Sequence, residues 1–333
     1  MVESTAPLAI DAASLIGIDW GSTGMRGFLI GAGGTPLETR RSADGASTLK
    51  NGSEFLAAYQ RLIGDWVRER PDLNVLACGM VGSSHGWQES PYLPCPVDLA
   101  QLAAGYAVVQ GPNLRNLRIV PGLLYDPEQG APDVMRGEET QIAGAVLSHP
   151  ELARASCLVL PGTHSKWVHV RYAQVREFST HMTGELFALL RQYSVLGRSM
   201  GETRTPADMQ AFADGVDAAR DGGQKSVAQQ LFSIRSMVLT DKLRAAASAD
   251  YLSGLLIGHE VRAGLAWRGT AKLEALPLVL VGEPDLCQLY VRALERFDAH
   301  ADLLLPNTAP LGLWHLAEAA GLIAASQAGQ RAQ

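Results

Sequence analysis

One order of elements occurs twice in this chain, about 140 residues apart: strand, glycine turn, strand, strand, helix. In the first copy Leu15–Trp20 (LIGIDW) and Met25–Ile30 flank Gly21-Ser22-Thr23-Gly24, and Leu37–Arg41 follows a second turn cluster. This pattern predicts an antiparallel meander. In Ser53–Arg70 the apolar residues Phe55, Leu56, Tyr59, Leu62, Ile63, Trp66 and Val67 recur at threes and fours. That spacing predicts an amphipathic helix, N-capped by Ser53 and stopped by Pro71. The second copy runs through Cys157–Leu160, the turn Pro161–Ser165, Lys166–Arg171, Val175–Thr180 and the helix Glu185–Leu196. Two α/β domains of like plan are therefore expected, over residues 14–150 and 151–326, with the break near Ser148–Ala155.

A length of 333 residues suits two domains, and 47% apolar residues suffice to fill two cores. Asn74–Cys78 is a buried-strand candidate, followed by the Gly/Pro-rich stretch Gly79–Pro96. The later half predicts helices at Ser226–Leu239, Tyr251–Trp267, Asp285–Phe297 and Leu311–Ala325, with strands at Pro277–Val281 and Leu303–Leu305. Residues 327–333 are expected to be disordered, and residues 1–14 read as a frayed leader without the basic residues of a targeting signal.

Lys and Arg number 28 against 34 Asp and Glu, a formal charge of −6, so no basic surplus exists to neutralise a nucleic-acid backbone. No run of 18 apolar residues occurs, so no membrane span is expected. Cys78, Cys95, Cys157 and Cys287 form neither CxxC nor zinc spacing, which points to free thiols and a reducing, cytoplasmic setting. The sequence sets no oligomeric state, and a homodimer stays open.

Four motifs offer chemistry. In Ile18-Asp19-Trp20-Gly21-Ser22-Thr23 a carboxylate ends a buried strand before a turn of small residues. Such a turn aims backbone N–H groups and hydroxyls at one point, suiting a phosphate, while the carboxylate suits a hydrated Mg²⁺; the plain reading is a hairpin turn. Leu160–Trp167 repeats the plan with Gly162, Thr163, His164, Ser165 and the added charge of Lys166. In Leu278–Asp285 a buried strand ends at Gly282-Glu283, where a flat ring could approach the backbone; a simple strand-to-helix turn reads equally well. Met135–Gln141 places Glu138 and Glu139 in a first helical turn, as dipole partners or as a general base. Gly82-Ser83-Ser84-His85-Gly86 matches the GxSxG of hydrolases, but Pro91, Pro94 and Pro96 follow where that nucleophile elbow needs a helix. GxxxxGK[ST] and GxGxxG are both missing, so neither a P-loop nor the usual Rossmann fingerprint is present.

The duplicated meander with DWGST, PGTHSKW and the strand ending at Gly282 resembles the actin-like, sugar kinase and Hsp70 ATPase superfamily. The ordered set IDWGSTGMRGFLI, CGMVGSSHGW, PYLPCP, VMRGEETQ, LPGTHSKWV, MTGELF and LSGLLIGHEV resembles the 2-dehydro-3-deoxygalactonokinase family over roughly Ile16 to Ala325. The resemblance implies two ribonuclease H-like domains with mixed five-stranded sheets and an active site in the cleft between them. It implies phosphorylation of the terminal hydroxyl of 2-dehydro-3-deoxy-D-galactonate by ATP with Mg²⁺.

Carried over residue by residue, the phosphates fall to Gly21, Ser22 and Thr23 and to Gly162, Thr163, His164 and Ser165. Asp19 takes Mg²⁺ through water, Lys166 counters charge, and the adenosine side falls to Gly282 and Glu283. The acidic segment makes Glu138 or Glu139 the base. Arg26 and Arg136 are candidates for the sugar acid's carboxylate, and Ser83, Ser84, His85 and Trp87 for its remaining groups. A nucleotide or polyphosphate hydrolase and an ATP-binding regulatory module are the rival readings of the same scaffold.

Overall fold

The computed structural model describes residues 9–111, 114, 117–200, 207–223 and 225–324. The expected disordered tail, and residues 1–8 of the expected leader, lie outside these. The chain divides into two compact units. One is Met1–Ala155 with Val170–Glu177 and Asn307–Gln333; the other is Ser156–His169 with Phe178–Pro306.

The first unit contains β1 (Ala13–Trp20), β2 (Met25–Gly31), β3 (Pro36–Ser42), α1 (Gly52–Glu69), β4 (Val75–Gly79), β5 (Tyr92–Pro94), α2 (Leu99–Ala104), β6 (Ala107–Val108), β7 (Leu117–Ile119), β8 (Gly122–Tyr125), β9 (Asp133–Met135), α3 (Glu138–Ser148) and α4 (Pro150–Arg154). Its main sheet has the order β3-β2-β1-β4-β7-β6; β5, β8 and β9 form a second, small sheet. β1 runs antiparallel to β2 and parallel to β4. The main sheet thus has six strands rather than five, because the two-residue β6 pairs antiparallel with β7 at its edge.

β1 is buried on both faces, which accounts for its near-continuous apolar run. On one face Ile16, Ile18 and Trp20 share a core with Phe55, Tyr59, Leu62 and Trp66 of α1. The cap of α1 is Asn51, not Ser53: Asn51 Oδ1 accepts the N–H of Glu54 at 3.1 Å, and the Ser53 hydroxyl donates to the same oxygen.

The second unit contains β10 (Ala155–Leu160), β11 (Ser165–Arg171), β12 (Gln174–His181), α5 (Thr183–Tyr193), α6 (Met209–Asp221), α7 (Val227–Leu239), α8 (Ser248–Thr270), β13 (Leu278–Val281), α9 (Pro284–Arg296) and β14 (Leu303–Leu305). The tip of the β11–β12 hairpin belongs to the first unit, where Val175 and Val97 exchange backbone hydrogen bonds of 2.9 and 3.1 Å. The sheet order is β12-β11-β10-β13-β14. With β3-β2-β1-β4-β7 in the first unit, both sheets follow one plan, the ribonuclease H-like one expected from the sequence. α6 was not foreseen. It lies backbone to backbone on α8, where a Cβ on Gly254 would stand 2.0 Å from the Phe212 carbonyl oxygen.

The last helix, α10 (Ala309–Ala319), belongs to the first unit and not to the second, as the expected 151–326 boundary had it. It crosses α3 at glycine: a Cβ on Gly144 would sit 2.2 Å from Thr308 O, and one on Gly312 would sit 1.9 Å from Thr140 O. Thr308 Oγ1 also donates to Gln141 O at 2.6 Å, and Tyr106 OH to Leu316 O at 2.8 Å. Leu313 of α10 packs beneath Gly17, on the face of β1 opposite α1. Among the described residues no helix is long and apolar enough to cross a membrane.

Candidate active site

Asp19 sits one residue before the end of β1, on the Gly17 face, the side covered by α10. The register sets Asp19 opposite Arg26 of β2, Arg26 opposite Arg41 of β3, and Asp19 beside Cys78 of β4. Partners in register share a face, so one row carries Arg41, Arg26, Asp19 and Cys78 in turn. Asp19, Gly21, Thr23, Arg26, Arg41 and Ser42 line a cavity of about 240 Å³.

The turn between β1 and β2 is held from behind. Gly21 O accepts the N–H of Ala46 at 2.9 Å, and Ser22 O accepts the N–H and hydroxyl of Ser47 at 3.1 and 2.5 Å. Gly45 makes this approach possible, since a Cβ there would lie 2.1 Å from Ser22 O. With its carbonyls drawn toward the 45–47 segment, the turn leaves Thr23 exposed.

Glu138 and Glu139 open α3, and their helix starts against the end of β4: a Cβ on Gly137 would touch Gly79 Cα at 3.3 Å. Gly137 has φ 110°, a left-handed conformation that suits glycine. The Cys78 thiol reports the result. Burial pushes its pKa well up, and Asp19, Glu139 and Glu138 push it further, against a hydrogen bond with Thr140. Sequence-distant Asp19, Glu138 and Glu139 are therefore brought to one place.

The two glutamates differ. Glu139 is buried, accepting the Gly137 N–H at 2.5 Å and the Thr140 hydroxyl at 2.9 Å. Burial first, and the Glu138 charge second, push its pKa up to about 8, against those hydrogen bonds. Glu138 is half-buried.

In the second unit Pro161–His164 joins β10 to β11. Lys166 is buried and its ammonium folds back to donate to His164 O at 2.7 Å. His164 Nε2 pairs with a carboxylate oxygen of Glu185, whose own N–H donates to Thr163 O at 3.0 Å. Gly184 lets the start of α5 lie on the turn, where a Cβ would meet Gly162 O at 2.5 Å. Gly162 itself faces open space. Gly282 follows β13 close to the same turn, where a Cβ would stand 3.7 Å from Pro161 O, and its N–H donates to Leu305 O at 3.0 Å; Glu283 then leads into α9.

The remaining candidates are divided. Ser83, Ser84 and His85 lie on a turn closed by Gly86 N–H to Ser83 O at 2.8 Å, with no helix following, so the GxSxG match is not an elbow. Trp87 is engaged in packing: its ring stacks on Phe55 at 6.1 Å and meets Tyr59 and Trp20 edge-on. Arg136 is buried, donates to Ser90 O at 2.7 Å and lies over the Tyr92 ring at 4.3 Å; its second terminal nitrogen is buried without a hydrogen bond.

Residues 19–316 match the family model described as 2-keto-3-deoxy-galactonokinase. The chain belongs to this family. A Rhizobium meliloti protein named as a probable 2-dehydro-3-deoxygalactonokinase is 37% identical over 280 residues, 84% of this chain and 88% of that one. The Escherichia coli 2-dehydro-3-deoxygalactonokinase is 38% identical over 249 residues, 75% and 80% of the two chains. A Sinorhizobium meliloti crystal structure described under the same enzyme name superposes with TM-score 0.78 at 33% identity, covering 92% of this chain and 98% of that one. The activator of the 2-hydroxyisocaproyl-CoA dehydratase from Clostridium difficile, solved with bound ADPNP, shares the fold at TM-score 0.51 and 14% identity, covering 92% and 95%.

Several residues at these places carry no signal in the sequence. Arg41 and Ser42 reach the Asp19 cavity through register, which no local motif encodes. Gly45 and Gly184 act through close approach, and Glu185 stands in the quoted MTGELF string without a chemical signal of its own.

Proposed function

We infer that this chain is an ATP-dependent sugar-acid kinase, which phosphorylates the terminal C6 hydroxyl of 2-dehydro-3-deoxy-D-galactonate and releases ADP. The observation that carries the reading is the gathering of Asp19, at the glycine turn after β1, with the acidic start of α3 around Cys78. A phosphate-binding turn and a proton acceptor then belong to one rigid corner. Phosphoryl transfer asks for little else beyond alignment and charge neutralisation.

The roles follow from exposure and bonding. Gly21, Ser22 and Thr23 offer phosphate donors on one turn, and Gly162, Thr163 and His164 on the other. Gly282 and Glu283 stand on the adenosine side. Glu138, half-buried, takes the proton as the substrate oxygen bonds to the γ-phosphorus and the bond to the β-phosphate oxygen breaks. Glu139 is already engaged in capping its own helix. Arg26 and Arg136 supply cationic groups for the substrate carboxylate, and Ser83, Ser84 and His85 hydrogen-bonding groups. Lys166 acts from behind its turn, through His164 O.

Mg²⁺ fits the first corner. Among the described residues no three His, Cys, Asp or Glu side chains group as a preformed cage. Mg²⁺ is commonly held by one or two carboxylates, its own waters and substrate phosphates, and Asp19 offers one such carboxylate into the cavity. When bound, the ion neutralises charge on the phosphates.

ADP release, measured with and without the keto-deoxy acid, tests the reading. Release only with the acid supports it. Phosphate release without the acid, or nucleotide binding without turnover, overturns it.

A further inference from the structure

Beneath the second turn a chain of buried hydrogen bonds runs from β11 through α9 to α8 and back to β11. Ser165 Oγ lies 2.9 Å from Tyr290 OH. Tyr290 OH donates to Glu260 Oε2 at 2.6 Å, and Trp167 Nε1 donates to Glu260 Oε1 at 3.1 Å. All four side chains are at most 3% exposed. The chain has one polarity. The indole N–H can only donate, and Glu260 takes the tyrosine proton. Tyr290 can therefore offer Ser165 only a lone pair, and it is the nearer of the two acceptors for the serine proton.

That direction decides what Ser165 can do. Its oxygen keeps lone pairs for the Gly162 N–H, 3.3 Å away across the turn. Its proton has two acceptors in reach, Tyr290 OH at 2.9 Å and, farther off, Gly162 O at 3.4 Å, and the residue is 0% exposed. We propose that Ser165 is a positioning residue and not a phosphate ligand: Glu260 and Tyr290 orient its hydroxyl so that it grips Gly162 N–H and sets the curvature of the second turn. Glu260 and Tyr290 thereby become positioning residues for nucleotide binding, acting from helices that carry no recognisable phosphate motif. A buried network of this kind rigidifies only while every member is satisfied.

The proposal rests on the kinase reading, which assigns the second turn to ATP. The test is titration calorimetry of MgATP on the full chain, alongside steady-state KM for the sugar acid. Tyr290→Phe is expected to raise Kd for MgATP about tenfold while KM for the acid moves less than about twofold. Ser165→Ala should act alike, and the double variant should be no worse than either single change, since both break one link. Unchanged affinity in Tyr290→Phe, or effects that multiply in the double variant, overturns the proposal.

Should Tyr290→Phe not fold, Glu260→Gln takes its place. Its amide oxygen must face the indole N–H, so its NH₂ faces Tyr290 and reverses the chain with no change of shape. Weaker MgATP binding at an unchanged melting temperature is then expected, and unchanged binding overturns the proposal. A wild-type chain that binds no MgATP would instead refute the kinase reading itself.

Discussion

The carboxylate of Glu139 closes on the N–H of Gly137, two residues back, at 2.5 Å, with Thr140 donating to its other oxygen. This tight cap separates two neighbouring acids by role. Glu139→Gln keeps the shape of the cap and should retain most activity. Glu138→Gln should lower kcat by roughly 10²–10⁴-fold, the usual size of general-base loss, with ATP binding preserved. Single-turnover phosphoryl transfer on both variants checks the assignment, and equal losses would refute it.

The same buried acid should make stability depend on pH. Its pKa rises from an ordinary 4.5 to about 8 on folding, with burial the leading cause. The native state then binds the proton more tightly than the unfolded chain. The contribution is fully present below about pH 4.5 and is lost as pH rises through about 8, at a slope of up to about 1.4 kcal/mol per pH unit. Urea unfolding at several pH values should show this decline in wild type and not in Glu139→Gln.

Asp19→Asn removes the one carboxylate lining the cavity of the first turn while preserving its size. Its kcat should fall by at least about tenfold, and raised Mg²⁺ should recover part of the loss, because phosphate and water still hold the ion. A Mg²⁺ titration of initial rates measures this; a wild-type titration curve would contradict the role given to Asp19.

What the sequence made legible was whatever has a period or a local string. The apolar run in Leu15–Trp20 and the spacing of Phe55 to Trp66 follow from side chains meeting their immediate neighbours. The DWGST and PGTHSKW turns stand where expected, between β1 and β2 and between β10 and β11. Long-range partnerships stayed hidden. The return of α10 to the first unit depends on Gly144 and Gly312, 168 positions apart, letting two backbones touch. Lys166 reads as a cation to counter phosphate charge, yet its ammonium is turned back on His164 O. Trp87 reads as a candidate contact for the sugar acid, yet its ring packs against Phe55, Tyr59 and Trp20.

Gly45 offers a test of how the first turn keeps its shape. A methyl group there would stand 2.1 Å from Ser22 O and 2.4 Å from Thr23 Cα, both backbone atoms that can yield only by moving the turn. Gly45→Ala should therefore raise KM for ATP several-fold, while the core around Trp20 and Phe55 stays packed. Steady-state kinetics with near-ultraviolet circular dichroism would check both halves, and a native spectrum with unchanged KM would show that the turn is not set from behind.

His259 on α8 supplies the opposite pH dependence in the second unit. Its Nε2 meets the Gln230 side-chain oxygen at 2.6 Å, and the Arg262 guanidinium donates to its Nδ1 at 2.9 Å. The ring is therefore the neutral tautomer with the proton on Nε2. Burial first, then the Arg262 charge, lower its pKa from 6.5 to about 4. Protonation is thus disfavoured in the folded state, so its contribution is complete above about pH 6.5 and is lost as pH falls through about 4. His259→Asn should lower the melting temperature at pH 7.5, and should narrow its gap to wild type at pH 4.5, where the wild-type ring is being forced to charge. Thermal unfolding of both proteins at the two pH values decides the point, and a gap that widens on acidification would contradict the neutral assignment.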